Sequence, residues 1–117
     1  MKTSLKNNFT PKTRSLFYGC TICFWCGYSI NKGENVNALH HIVGRKSNSP
    51  LNACPIHNNF CHLYNPKLHK RDNEIMLINK TLTYLKKENY KLTDKDKEFY
   101  IKYGTKSESN KRQIHNP

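Results

Sequence analysis

The run Cys23-Phe-Trp-Cys26-Gly27 limits what this chain can become more than any other feature of its sequence. Two thiolates separated by two residues can chelate one ion from a tight turn, and Gly27 permits the positive φ that such turns often need. The chain needs such a staple. It has 117 residues, of which only 36% are hydrophobic, and its mean hydropathy is -0.84. A single domain of this length buries roughly two-thirds of its unfolded surface, so a thin core leaves it marginal. Five cysteines is an odd count, which suits metal ligation in a reducing compartment better than a disulfide framework. A tetrahedral site needs two further soft ligands, and Cys54 and Cys61 supply them. The expected zinc set is therefore Cys23, Cys26, Cys54 and Cys61, with Cys20 and His57 as rivals for one place. A structural zinc of this kind contributes on the order of 10 kcal/mol to folding. The competing readings are a redox Cys-x-x-Cys, whose strand–helix context is missing, and unrelated buried thiols.

Charge points to a partner. Up to Arg71 the chain carries ten Lys/Arg and one acid, Glu34; from Asp72 onward ten Lys/Arg face seven acids. The half that holds every cysteine and five of the six histidines is thus nearly free of carboxylates. That is the electrostatic footprint of a polyanion-binding surface. The plain alternative is a basic protein with no particular partner. No apolar run approaches a membrane span or a signal-peptide core, so the expected location is the cytoplasm, away from membranes.

The expected organisation is a flexible basic arm over 1–15, a zinc-stapled core over 16–71, a helical extension over 72–104 and a disordered tail over 105–117. Within the core, residues 36–43 read as a strand stopped by Gly44, and 51–54 as a short second strand. Residues 57–63 read as a short helix. Beyond them Ile75, Ile78, Leu82 and Leu85 recur every three or four residues, the spacing of one helix face, with Asp72 as the expected N-cap. A second helix should start at Thr93, with Asp96 completing a capping box, and run through Phe99 and Tyr103 to Gly104. No internal repeat is present.

A second constellation is His40-His41-Ile-Val-Gly44-Arg45, followed by Asn52 and then Cys61-His62. Imidazoles are the commonest metal ligands, and their titration near neutrality also suits them to general-base work. Phosphodiester hydrolysis uses both: a cation to neutralise developing charge and a base to deprotonate water. Neighbouring histidines on a strand point to opposite faces. A strand end turning at Gly44 can send one to a metal and leave the other for water. The tyrosines and phenylalanines around Cys20 could stack on exposed bases, but packing around a zinc knuckle is the commoner use of such residues.

Cys-x2-Cys, then His-His-Ile-x-Gly-Arg, then Asn, then Cys-His resembles the HNH endonucleases, the ββα-metal nucleases. The stretch Cys23 to His62, about a third of the chain, is especially similar to small stand-alone HNH proteins of phages. The resemblance implies a small α+β domain with a ββα-metal core, a zinc knuckle and C-terminal helices. It implies a metal-dependent DNA endonuclease giving 5′-phosphate and 3′-hydroxyl ends by a one-metal mechanism. His41 would be the general base, Asn52 would brace the loop and orient that base, and His40 and His62 would hold the catalytic ion. That ion would be Mg²⁺ or a transition metal such as Mn²⁺. Arg45 and Lys46 would contact phosphate. The expected partner is double-stranded DNA, and a homodimer would let two sites cut both strands. A phage-encoded chain would act in the cytoplasm of its bacterial host.

In one respect the sequence departs from the family pattern. Cys54 and Cys61 are separated by six residues where many relatives have Cys-x2-Cys-His, and this leaves the fourth zinc ligand open. His57 and His69 are also candidates for a further catalytic-metal ligand, against an ordinary surface or phosphate-contacting role. The alternative function is a zinc-containing nucleic-acid-binding module without catalysis. It accounts for charge and cysteines but not for two His, an Asn and a Cys-His in this order.

Overall fold

The computed structural model describes residues 9–30, 39–45, 47–57, 61 and 65–105. The element order is helix α1 (Pro11–Leu16), strands β1 (Leu39–His41) and β2 (Ala53–Pro55), then helices α2 (Arg71–Lys87) and α3 (Asp94–Tyr103). The two strands pair antiparallel, with Leu39 opposite Pro55, His40 opposite Cys54 and His41 opposite Ala53. Short 3-10 turns at Pro50–Asn52 and Pro66–His69 precede β2 and α2.

A helix spans residues 11–16, across the end of the stretch expected over 1–15 as a flexible arm. Thr10 is extended and its hydroxyl accepts from the Thr13 amide, while Pro11 supplies a preset φ at the first helical position. Upstream of β1, the segment around Asn31–Asn35 lies outside the described residues, as does most of the expected 57–63 helix. Asp72 is not the N-cap of α2. The chain leaves the preceding 3-10 turn with Lys70 extended at φ -73, so Lys70 takes that place and offers no side-chain cap. Asp72 and Glu74 instead fall in the first turn, where carboxylates suit the positive end of the helix dipole. Helix α2 stops at Asn89, whose φ is 62. The Tyr90 amide reaches back to Leu85 O and that of Asn89 to Lys86 O, a Schellman closure. The capping box of α3 forms in both directions between Thr93 and Asp96.

Helix α2 is the backbone of the packing. Its Leu77, Ile78, Thr81 and Leu85 are buried, against a cluster that includes Phe17, Ile42, Leu51, Ile56 and Phe99. Each buried large apolar side chain stabilises by about 1.5–3 kcal/mol. Two polar bonds fix the register of α2 on the rest. Thr81 Oγ1 donates to Ala53 O of β2 at 2.8 Å, and Lys80 Nζ donates to Phe24 O at 2.8 Å. Helix α3 is hooked on through Asp96, whose carboxylate accepts from Ser49 Oγ and Tyr90 OH, each at 2.6 Å, and from Thr93 N. Burial raises the Asp96 pKa, but the bonds from Ser49, Tyr90 and Thr93 outweigh it and hold the carboxyl below its ordinary value.

Candidate functional site

The first site is a metal-binding-type cluster built by a knuckle. Ile22 and Ser29 bridge antiparallel, the Cys23 amide donates to Tyr28 O and the Gly27 amide to Cys23 O. Gly27 sits at φ 82, the conformation that favours glycine. The Phe24 amide donates to Pro55 O at 2.9 Å, which lays the knuckle along β2. This brings Cys23 and Cys26 to His57 and Cys61, and the four ligand atoms all lie within 4.8 Å of one another.

Distances within the cluster match one tetrahedral ion. Zinc bonds of about 2.3 Å to sulfur and 2.1 Å to nitrogen imply S–S edges of about 3.8 Å and S–N edges of about 3.6 Å. Cys23 Sγ and Cys61 Sγ are 3.6 Å apart; His57 Nδ1 is 3.3 Å from Cys26 Sγ and 3.6 Å from Cys61 Sγ. The other ring nitrogen, Nε2, is 2.8 Å from Ser29 O. Donation there leaves the Nδ1 lone pair facing the sulfurs, the usual outer brace of a metal-bound histidine. Electrostatics agree. Burial opposes ionisation of Cys23, but the backbone amides of Cys26, His57 and Trp25, with the Cys26 thiol, bring it down to about 7. Cys61 is pushed up to about 12 by burial and by the neighbouring Cys23 and Cys26. Three sulfurs at this spacing cannot all carry charge without a cation among them.

The structure thus brings together three of the four expected zinc ligands, and His57 stands where Cys54 was expected. Cys54 lies on β2 opposite His40, is fully buried in the apolar core, and burial pushes its thiol well up. Cys54, in the middle of β2, is taken up by the core, and His57, two residues beyond the end of the strand, supplies the fourth ligand atom. Cys20 is buried as well, its thiol donating to Ile22 O at 3.3 Å. Phe17 and Phe24 are core residues, stacked and edge-on against Tyr84, so neither is available to a base.

The second site lies at the end of β1. Asn52, fully buried, ties the loop that follows. Its Oδ1 accepts from Val43 N at 2.9 Å, and its Nδ2 donates to Gly44 O at 2.9 Å and Ser47 O at 2.7 Å. Gly44, at φ 77, makes the turn. The Ile42 amide donates to Asn52 O at 2.8 Å, closing the hairpin on the backbone side. The two histidines of β1 diverge as strand geometry requires. His40 is buried, and its ring centre lies 5.3 Å from that of His69, on the 3-10 turn Pro66–His69. His41 is half-buried, with Nε2 3.3 Å from Asn48 Oδ1. Burial lowers its pKa, the Asn48 bond raises it, and the charges of Arg45 and Arg14 lower it again; the net direction is down. Arg45 is exposed beside the turn. His62 and Lys46 lie outside the described residues.

The sequence offers His69 only as one candidate for a further ligand, and does not place it beside His40. Compared with family models, with curated proteins and with solved structures, the chain matches none. What the fold and site establish is a small ββα domain with a Cys3His cluster of the kind that binds zinc. Among the described residues no helix is long and apolar enough to cross a membrane.

Proposed function

We propose that this chain is a metal-dependent DNA endonuclease of the HNH type, with structural zinc at Cys23, Cys26, His57 and Cys61. The observation that carries the reading is the Asn52 brace, which ties Val43, Gly44 and Ser47 of the loop directly after the His40–His41 pair. A loop held firm at that point supports a reading in which the adjacent His41 has to stay in place as a base.

In this reading His41 takes the proton of the attacking water. With Nε2 donating to Asn48 Oδ1, the lone pair sits on Nδ1, and a base held below its ordinary pKa is neutral at neutral pH. His40, His69 and His62 would hold a divalent ion, and an all-imidazole set suits a transition metal better than Mg²⁺. When bound, that ion stabilises charge on the phosphate and on the departing oxygen. The water oxygen bonds to phosphorus as the bond to the 3′ oxygen breaks; the water's proton goes to His41, and the 3′ oxygen is protonated from solvent. The products are 5′-phosphate and 3′-hydroxyl ends. Arg45 and Lys46 contact the backbone, within a region where ten cationic residues face one acid. One site per chain nicks a single strand, and two copies would cut both.

The test is plasmid cleavage by wild type beside His41→Ala with Mg²⁺, Mn²⁺ or EDTA. The expected result is metal-dependent conversion of supercoiled DNA by the wild type alone. If neither protein cleaves with any metal while gel-shift binding persists, the chain is the zinc-containing binding module instead.

A further inference from the structure

The N-terminal segment contributes to the same site through Phe9. Its ring lies face to face with the His41 imidazole, centroids 4.0 Å apart and planes 10° from parallel. Phe9 is only 4% exposed, so the contact is a packed one. Its position is secured locally from both the backbone and the following helix. The Phe9 carbonyl accepts from Arg14 Nε at 3.2 Å, and the next residue, Thr10, is fixed as the N-cap of α1. The partner ring is held at its edge by Asn48. An imidazole has one soft torsion about its Cβ–Cγ bond, and the flat face of Phe9 blocks that rotation on one side while Asn48 restrains the rim.

We infer that Phe9 is a positioning residue for His41, clamping the ring so that Nδ1 stays aimed at the attacking water. The inference rests on the endonuclease reading. Phe9 touches neither phosphate nor metal in this role; it acts through His41. A base free to swing loses the alignment that makes proton transfer effective, and misplacement of a reacting group by 1 Å can cost about 100-fold in rate. Because Phe9 lies on the base and not in the basic surface, the loss should fall on kcat and leave KM and DNA affinity as they were. The stack needs a flat ring, so Phe9→Tyr should restore what Phe9→Ala removes, and Phe9→Leu, of similar bulk, should not.

The experiment compares wild type, Phe9→Ala, Phe9→Leu, Phe9→Tyr and His41→Ala in plasmid cleavage with saturating Mn²⁺. In parallel, NMR measures the His41 ring-proton shifts, which the Phe9 ring current moves upfield. The expected result is a fall in kcat of about tenfold or more for Phe9→Ala and Phe9→Leu, unchanged KM, near-wild-type cleavage by Phe9→Tyr, and loss of the upfield shift in the Ala and Leu variants. If wild type cleaves and His41→Ala does not, but Phe9→Ala keeps its kcat, the inference falls while the nuclease reading stands. Equal cleavage by wild type and His41→Ala would overturn that reading, and the role of Phe9 with it. Ring-proton shifts that are the same in wild type and Phe9→Ala would overturn the stack itself, whatever the cleavage result.

Discussion

Replacing Asn52 by Ala removes three hydrogen bonds and exposes the energetics of the hairpin loop directly. The bonds to Gly44 O and Ser47 O end on half-buried residues. Water can reach those carbonyls once the amide is gone, so each loss costs about 1 kcal/mol. The Val43 amide is different. It is buried and has Asn52 Oδ1 as its acceptor, and an orphaned buried donor costs about 1–3 kcal/mol. The sum is about 3–5 kcal/mol, a large share of the roughly 5–15 kcal/mol that holds a domain together. Urea unfolding at fixed free zinc measures it, as a lower midpoint with an unchanged slope. The Asn52→Asp variant sharpens the test. A carboxylate can still accept from Val43 but repels the carbonyls of Gly44 and Ser47, so the folded state raises the pKa of the new group. Its stability is then greatest at acid pH and is lost as pH rises through that raised pKa. A loss below about 1 kcal/mol for Asn52→Ala would refute the idea that this residue holds the loop.

Two further outcomes are expected. Cys54→Ala should retain one bound zinc per chain while His57→Ala loses affinity for it, read by metal analysis after dialysis; the opposite pattern would return Cys54 to the ligand set. Asp96 has a folded pKa below its unfolded one, so its contribution is present above the unfolded value and disappears as pH falls through the folded value. Thermal stability should therefore drop on the acid side of about pH 4, and Asp96→Asn should be less stable at neutral pH with a flatter acid limb. An unchanged acid limb in that variant would show that the bonds from Ser49, Tyr90 and Thr93 do not hold the carboxylate in its charged form.

What the sequence makes legible is what depends on neighbours along the chain. The Thr93–Asp96 box and the Ile75, Ile78, Leu82, Leu85 spacing report local helix geometry, and α3 and α2 form there. The knuckle turn at Gly27 is likewise local. The choice between Cys54 and His57 is not. It depends on where β2 ends and which face of the strand meets α2, and β2 is only three residues long; a shift of one residue would reverse every side chain. Spacing alone favours the chemically softer cysteine. The Phe9–His41 stack and the approach of His69 to His40 are less accessible still, because they join distant parts of the chain through a path set by α1 and by the turn after Pro66. The same distance in sequence hides Asp96, whose partner Ser49 lies 47 residues away.

The Cys3His cluster also has a topological meaning. Cys26 and His57 are 31 residues apart, and β1, with His40 and His41, lies wholly between them. Joining the two ends encloses the strand in a ring, and the entropy needed to bring those ends together is no longer charged to the hairpin when it forms. A chelator acting at the sulfurs would reopen that ring and loosen two histidines that make no contact with the ion removed. Metal supply at one site would then govern the other through chain connectivity alone, with no shared ligand between them.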